Sequence, residues 1–416
     1  MATAAAPEVS PEGEPTARRA QQTDVDPTTH PVRRRARRSR FLVILVGITL
    51  GMHVPVALGV TELARRLGIP LPWLVGLAWG ALGVGLFVGR VRAGMADRRR
   101  GRAIVWLVDL PYFVHWCAAL FTLVPAVALT LLLPLVQLAR GEPVHLPVGA
   151  YLGTYVVGLG VSAYGVLVRR RWFRVVEREV RVSGLAPAFD GLRIAHLSDL
   201  HVGTLTPKQW ALRWSRAANE RAPDLTVVTG DLVTSGNAYD DDVADVIGAL
   251  RAKHGVFSSM GNHDYFGEGE ALAAKLRQRS VTVLRNEGVV IERAGARLWL
   301  AAIDDTWTRR DDLARAMAGR PEGAATLLLA HDPKSFDAAA DAGANLVLSG
   351  HTHGGQVAVP FLARTLNLAR LGYRYTLGFY RRGSATLYVH PGLGTTGPPV
   401  RLGVAPEVTI LVLRPV

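Results

Sequence analysis

The chain has 416 residues, 49% of them hydrophobic, with a mean hydropathy of +0.19 and a formal net charge of +14. That hydropathy is high for a wholly soluble protein and predicts membrane segments beside the one or two globular units such a length can build. The single cysteine, Cys117, excludes an intramolecular disulfide and a thiolate metal cluster. Residues 1–171 hold 20 Lys and Arg against 9 Asp and Glu, and the remainder hold 28 against 25. The positive excess therefore belongs to the first part, where it suits anionic lipid head groups. The near-neutral second part argues against a nucleic-acid partner.

Residues 1–40 are rich in Ala, Pro, Glu, Thr and Arg and show no apolar period, so a disordered basic tail is expected there. It ends in Arg33, Arg34, Arg35, Arg37, Arg38 and Arg40, a topology signal ahead of a first membrane span. A transmembrane helical region is expected over 41–171, all α, with spans at about 41–61, 73–88, 112–136 and 148–168. The first apolar run is longer than the core of a secretory signal and further spans follow, so it reads as uncleaved. Residues 103–138 form one apolar run with no polar turn. Residues 103–111 read as an approach to a single span, and two crossings there would reverse the side of everything that follows. Sixteen arginines in the cluster that ends the tail, the loop 90–102 and the segment after span four stand against Arg65, Arg66 and Arg140 in the other loops. This bias predicts a multi-pass protein of the cell membrane with both termini and the C-terminal domain in the cytoplasm. Asp109 and His115 are ionisable groups in or near the third span and are functional candidates there.

From residue 172 the composition becomes that of an α/β domain. Residues 175–180 alternate apolar and charged, the pattern of a strand with one solvated face. Helices are predicted over 207–221, 239–253 and 268–279, the first with Thr206 as N-cap and Pro207 at its first position. A strand series follows over 281–303, then short helices over 311–318 and 335–340, and mainly β structure beyond residue 355. Five short apolar runs (194–197, 225–228, 256–259, 327–330 and 346–348) each end just before a cluster of ligand-type residues. The clusters are Asp199-Leu-His201, Gly230-Asp231, Gly261-Asn-His-Asp264, His331-Asp-Pro333 and Gly350-His-Thr-His353. Ligands placed past the C-terminal ends of strands converge on one edge of a sheet.

Asp199, His201, Asp231, Asn262, His331, His351 and His353 make a mixed oxygen and nitrogen set. Such a set suits Mn2+, Fe2+ or Zn2+ better than the all-oxygen cages of calcium and magnesium, and Mn2+ is favoured. Seven groups exceed what one tetrahedral site uses, whereas two ions sharing one carboxylate employ them all. Two such ions clamp the attacking and leaving oxygens of a displacement at phosphorus and turn bound water into hydroxide near neutral pH. His263, beside Asn262 on the same turn, is the candidate catalytic acid, and Asp264 is expected to orient its imidazole. Gly230, Gly261 and Gly350 permit the tight turns that bring these loops together.

In order and spacing these five blocks resemble the calcineurin-like metallophosphoesterases, over residues 175–416. The string Gly350-His-Thr-His-Gly-Gly-Gln-Val357, with Gly392-Leu-Gly394 and Pro398-Pro-Val-Arg401, is similar to the YkuE-like branch of membrane-associated bacterial members. The resemblance implies a two-sheet αββα sandwich over 172–416, with the site at the strand ends. It implies that Asp199, His201 and His353 hold the first metal and that Asn262, His331 and His351 hold the second. Asp231 then bridges the two and His263 acts as the acid. Many members carry an acidic residue three positions after the bridging aspartate, where this chain has Thr234.

The implied function is hydrolysis of a phosphate ester or pyrophosphate by a metal-bound hydroxide in a phosphodiesterase or phosphatase. The partners are a phosphorylated small molecule or lipid and the membrane. The rival reading is a membrane receptor or transporter whose phosphoesterase-like domain binds a phosphorylated ligand without turnover, and Asp109 and His115 are its support. Other polar residues carry plainer expectations. His196 and His254 read as structural, Trp210 and Trp214 as core, and Asp304-Asp305 as solvated surface. His390 reads as a strand-end residue. Arg401 reads either as a bidentate phosphate ligand or as one half of a structural salt bridge.

Overall fold

In the computed structural model, which describes residues 30–95, 97–141 and 148–416, four helices long and apolar enough to cross a bilayer precede two six-stranded sheets. Residues 1–48 form one unit and residues 49–416 a second. The division falls inside the first helix, His30–Arg66. This helix takes in the arginines at 33–40 that the sequence placed in a disordered tail, while residues 1–29 lie outside the described residues.

The candidate spans are Val43–Arg66, Pro72–Ala93, Arg102–Arg140 and Gly149–Arg171. The third is helical throughout its 39 residues, so the expected approach segment is part of it. At 1.5 Å per residue it is about 58 Å long, roughly twice the hydrocarbon thickness. A π-helical turn at Val105–Asp109 leads into Leu110–Arg140, which contains Pro125 and Pro134.

Polar groups among these helices find one another. Asp109 is fully buried; it accepts from Arg100 Nε and Nη2, both at 2.9 Å, and lies 2.7 Å from Arg90 Nη1. His115 Nδ1 meets the Tyr155 hydroxyl at 2.7 Å and its Nε2 meets His53 Nε2 at 3.0 Å. His53 Nδ1 donates in turn to the Thr49 carbonyl at 2.6 Å. Below them, the loop between the second and third helices is fastened to the C-terminal half. The Asp97 carboxylate accepts from the backbone N–H of Asn237 and Ala238 at 2.9 Å, and Arg99 pairs with Asp242 at 3.1 Å.

The strands are β1 (Arg174–Val182), β2 (Arg193–Leu197), β3 (Leu225–Thr229), β4 (Val256–Ser259), β5 (Thr282–Val283) and β6 (Glu287–Arg293). They continue with β7 (Ala296–Ala302), β8 (Ala325–Leu329), β9 (Leu346–Ser349), β10 (Gly378–Arg382), β11 (Ala385–Val389) and β12 (Glu407–Pro415). One sheet runs β1-β12-β2-β3-β4-β5 and the other β10-β11-β9-β8-β7-β6.

Alternation along the strands builds the layers, because successive side chains leave opposite faces. Ile194, Leu225 and Val227 of the first sheet pack with Leu300, Leu327 and Leu348 of the second. Their neighbours Ala195 and Val228 face outward to Ala211, Trp214, Val243 and Leu272 on the helices Lys208–Asn219, Asp240–Gly248 and Gly269–Gln278. Leu328 and Val347 likewise cover Phe336 and Ala339 of the helix Phe336–Asp341. This is the expected αββα sandwich. A fully buried core leucine such as Leu348 stabilises it by about 2 kcal/mol.

Helix ends differ from the pattern reading in detail. Pro207 itself, in extended backbone, is the N-cap of Lys208–Asn219, because its fixed φ suits the residue entering a helix. The helix predicted over 239–253 is Asp240–Gly248, with Asp240, Asp241 and Asp242 in its first turn, where carboxylates favour the helix dipole. The segment 356–377, expected to be mainly β, is a loop with a 3-10 turn at Leu368–Leu371.

Candidate metal centre

β2, β3 and β4 are parallel, as are β8 and β9, so five loops open at one end of the two sheets. Asp199, Asp231, His331 and His351 each lie two positions past their strand, and Asn262 lies three past β4. Backbone hydrogen bonds tie these loops together. Asp199 N–H donates to the Gly230 carbonyl at 3.1 Å, His201 N–H to the Asp231 carbonyl at 3.0 Å, and Gly350 N–H to the His331 carbonyl at 3.0 Å.

The tight turns require unusual backbone. Asp199, His201, Asp231, His351 and His353 all have positive φ, between 44° and 68°. Each such residue costs on the order of 1–3 kcal/mol, and such strain gathers where function holds it. Gly350 meets a different demand: a Cβ there would lie 1.9 Å from Ser198 Oγ and 2.3 Å from Asp199 Oδ2. The approach of His351 N–H to the Asp199 carboxylate, at 2.9 Å, depends on that missing atom.

Two clusters of ligand atoms result. Asp199, His201, Asp231 and His353 form one, and Asp231, His331 and His351 the other. Asp231 belongs to both through different oxygens: Oδ2 lies 3.5 Å from His201 Nε2 and Oδ1 lies 3.3 Å from His331 Nε2. In the first cluster His201 Nε2 is 3.0 Å from His353 Nε2, which is 3.4 Å from Asp199 Oδ1. In the second, His351 Nδ1 is 3.2 Å from His331 Nε2. Tautomers are set from behind. His331 Nδ1–H donates to the Thr229 carbonyl at 2.7 Å, and His351 Nε2 is engaged by the Tyr373 hydroxyl at 2.6 Å. The nitrogens left over are the ones that face each other.

Electrostatics favour neutral imidazoles at His201, His351 and His353 and a charged carboxylate at the shared position, while Asp231 holds a proton on His331 that a bound metal would displace. Burial lowers His201 to about 3 and His351 to about 4, and holds His353 well below its ordinary value. Burial pushes Asp199 up to about 7, with His331 opposing. Burial also opposes charge on Asp231 and His331, but each outweighs it for the other: Asp231 is held well below the carboxylate range and His331 well above the imidazole range. Neutral imidazole and ionised carboxylate are the forms that bind metal.

The donor set fits a pair of cations. Asn262, on the 3-10 turn Asn262–Tyr265, keeps a buried Oδ1 with no hydrogen-bond partner among the described residues. An orphaned buried carbonyl costs roughly 1–3 kcal/mol and calls for a ligand.

His263 stands beside both clusters. Its N–H donates to Asp231 Oδ1 at 2.9 Å, and its ring centroid is 4.6 Å from that of His201. Its Nδ1 donates to the Thr234 carbonyl at 2.6 Å and its Nε2 lies 3.4 Å from Thr396 Oγ1. The expectation that Asp264 orients this imidazole is corrected. The Asp264 carboxylate accepts from the N–H groups of Leu232, Val233 and Gly261, so it braces the loop at a turn start. The backbone of Thr234 holds the imidazole instead.

Other readings also change. Asp304 and Asp305 are buried rather than solvated: Asp304 accepts from Tyr265 Oη at 2.6 Å and Arg285 Nε at 2.8 Å, and Asp305 caps the turn at Trp307 and Thr308. Arg401 is fully buried and fits neither of its two expectations. Its guanidinium donates to the carbonyls of Pro391 at 2.7 Å and Gly394 at 2.6 Å, and its Nη2 lies 3.3 Å from His353 Nδ1. Trp214 is core, whereas Trp210 stacks under Arg170 and Arg171, 5.2 and 4.3 Å from its ring centroid. His196 is buried and meets Thr229 Oγ1 at 2.8 Å, and His390 Nδ1 accepts from Gly392 N–H at 2.9 Å. Sequence reasoning missed Tyr373, Thr229 and the carbonyl of Thr234, because no motif marks a residue that acts only from behind a ligand.

A fold of two stacked sheets carrying this double cluster at the strand ends defines a class, the metal-dependent phosphoesterases. The profile of the family described as calcineurin-like phosphoesterase matches residues 192–355, and the chain belongs to that family. It is 30% identical over 270 residues to the uncharacterized metallophosphoesterase YkuE of Bacillus subtilis, a match covering 64% of this chain and 94% of that one. It is 34% identical over 272 residues to the transmembrane protein with metallophosphoesterase domain of Bos taurus, covering 61% of this chain and 60% of the relative. An uncharacterized metallophosphoesterase of Helicobacter pylori is 32% identical over 231 residues, covering 54% of this chain and 60% of that protein. The chain thus spans less than two thirds of the length of the last two.

Proposed function

We propose that this membrane-associated phosphoesterase holds two divalent cations and hydrolyses a phosphate ester or pyrophosphate presented at the membrane surface. Asp199, His201 and His353 hold the first ion, and Asn262, His331 and His351 the second, with Asp231 shared. The observation that carries this reading is Asp231 turning one oxygen toward each cluster. When bound, the ions supply positive charge to the phosphoryl oxygens and acidify water. Mn2+ is the favoured occupant on donor type.

His263 is the catalytic acid. With its Nδ1 committed to the Thr234 carbonyl, Nε2 is left to pass a proton to the leaving oxygen or to meet the charge that develops there. Asp264 serves catalysis from a distance, by fixing the turn that carries Asn262 and His263. The catalytic domain faces the cytoplasm. The attachment of Asp97 and Arg99 to residues 237–242 supports this, since it puts the arginine-rich loop and the domain on one side of the membrane.

The test is hydrolysis of bis-p-nitrophenyl phosphate by the full-length protein, stripped with chelator and reloaded with Mn2+, Zn2+, Fe2+ or Mg2+. Metal-dependent turnover that disappears in Asp231→Asn is expected. Turnover that survives chelation, or full activity in Asp231→Asn, contradicts the proposal. A reporter fused to the C-terminus reads the side of the membrane.

A further inference from the structure

The segment that carries His351 and His353 does not return directly into the sheet. Residues 356–372 leave the centre just after His353 and come back to it at Tyr373, whose hydroxyl holds His351. This excursion presents Val359, Phe361, Leu362, Leu366, Leu368 and Leu371 to the outside, Phe361 fully exposed and Leu371 at 90%. It is an ordered loop. Val359 N–H donates to the Leu366 carbonyl at 2.9 Å, and Asn367 caps the turn at Arg370 while donating to the Ala363 carbonyl at 2.7 Å. A loop braced from within that still shows six large apolar side chains is built to meet an apolar medium. Arg364 and Arg370 stand among them, exposed, as basic residues do beside anionic head groups.

The inner edge of the same loop walls a groove of about 950 Å³. Val357 and Ala358 form one side with Leu402 and Gly403, and the third and fourth membrane helices form the other through Phe121, Gly153, Val157 and Val161. Among the described residues, Arg169 is the only charged one lining it. Both loop pieces lead to the metal centre: Val357 lies four residues after His353, and Leu402 follows Arg401, whose Nη2 is 3.3 Å from His353 Nδ1. The helical side belongs to two of the candidate membrane spans, so hydrocarbon is the medium in contact with this groove.

We infer that the scissile phosphate belongs to a membrane lipid, which enters with an acyl chain in this groove while residues 359–371 dip into the head-group layer. The inference rests on the two-metal reading and names its substrate class. Arg169, the charged residue of the groove's lining, meets the lipid's charged region. The volume lies within the range of specific ligand sites.

The test uses the full-length protein in mixed micelles, with bis-p-nitrophenyl phosphate as the reported substrate. Dioleoyl phosphatidate and glycerol 3-phosphate are the competitors. Phosphatidate should inhibit at a concentration about ten-fold or more below that of glycerol 3-phosphate, because only the former buries methylenes. Gly153→Phe fills the groove, since nothing lies within 4 Å of a Cβ at that position. It should weaken phosphatidate inhibition about ten-fold relative to glycerol 3-phosphate inhibition. Equal potency of the two competitors, or a Gly153→Phe effect that is the same on both, overturns the inference. Absence of any metal-dependent hydrolysis in the unmutated protein overturns the two-metal reading instead.

A second measurement does not depend on the folding of Gly153→Phe. Cys117 is the only cysteine, so in a Cys117→Ala background a spin label at Phe361→Cys or Leu371→Cys reports a single position. In reconstituted bilayers these labels should collide more with oxygen than with a water-soluble nickel chelate, and a label at the exposed Glu322→Cys should do the reverse. Labels at 361 and 371 that behave like the one at 322 would refute the inference.

Discussion

Two clusters of histidines, one among the membrane helices and one at the sheet edge, each bring a pair of imidazole nitrogens to 3.0 Å. In the membrane helices the contacts form a closed chain, from the Tyr155 hydroxyl through His115 and His53 to the Thr49 carbonyl, with every ring nitrogen engaged. At the sheet edge the contacts do not close. Thr229 and Tyr373 occupy the far nitrogens of His331 and His351, the near nitrogens face each other and Asp231, and Asn262 Oδ1 has no partner among the described residues. Buried polarity that is satisfied within the chain holds helices together. Buried polarity with unspent lone pairs, kept on a strained backbone, is a place for something else. Asp109 and His115, functional candidates in the sequence, are paired with Arg90 and Arg100 and with Tyr155 and His53.

The sharpest break in the comparison comes from Asp231→Asn. It removes charge from both clusters and should lower metal-dependent turnover by about a thousand-fold, several kcal/mol of transition-state stabilisation. His263→Ala should lower kcat by about a hundred-fold with the bound metal unchanged, because its imidazole is held by the Thr234 carbonyl and belongs to neither ligand cluster. Tyr373→Phe should cost about ten-fold in metal affinity or activity, read by titration with a chelator, since it frees His351 Nε2. In the membrane half, Asp109→Asn leaves two arginines unpaired. It should lower the Tm through a loss of about 3 kcal/mol while metal content per folded chain stays constant. The smallest effect is expected from His115→Phe: about 1 kcal/mol of stability, with turnover retained. A large loss of turnover in His115→Phe would mean that the two histidine groups are not as different as their contacts say.

Much of the catalytic half was legible because its signals are local. Apolar runs with period two mark the strands, and a ligand two residues past a strand end needs no tertiary knowledge to place. What escaped is what acts at long range. Nothing near Tyr373 in the sequence says that its hydroxyl will reach His351, and nothing near Thr234 says that its carbonyl, not Asp264, will hold His263. Asp304 reads as surface from its neighbours and is buried because Arg285 and Tyr265 arrive from other elements. In the membrane half hydropathy marks spans but not their ends. The helix Arg102–Arg140 continues through residues 103–111, for which an upright-span length gives no place.

The central claim is that Asp231 joins two cation sites, and counting metal per chain tests it most directly. Elemental analysis of the purified full-length protein, reloaded with Mn2+ and desalted, should give two ions per chain. It should give about one in His351→Ala, which disables only the second cluster. One ion per unmutated chain, or an unchanged count in His351→Ala, would contradict the account.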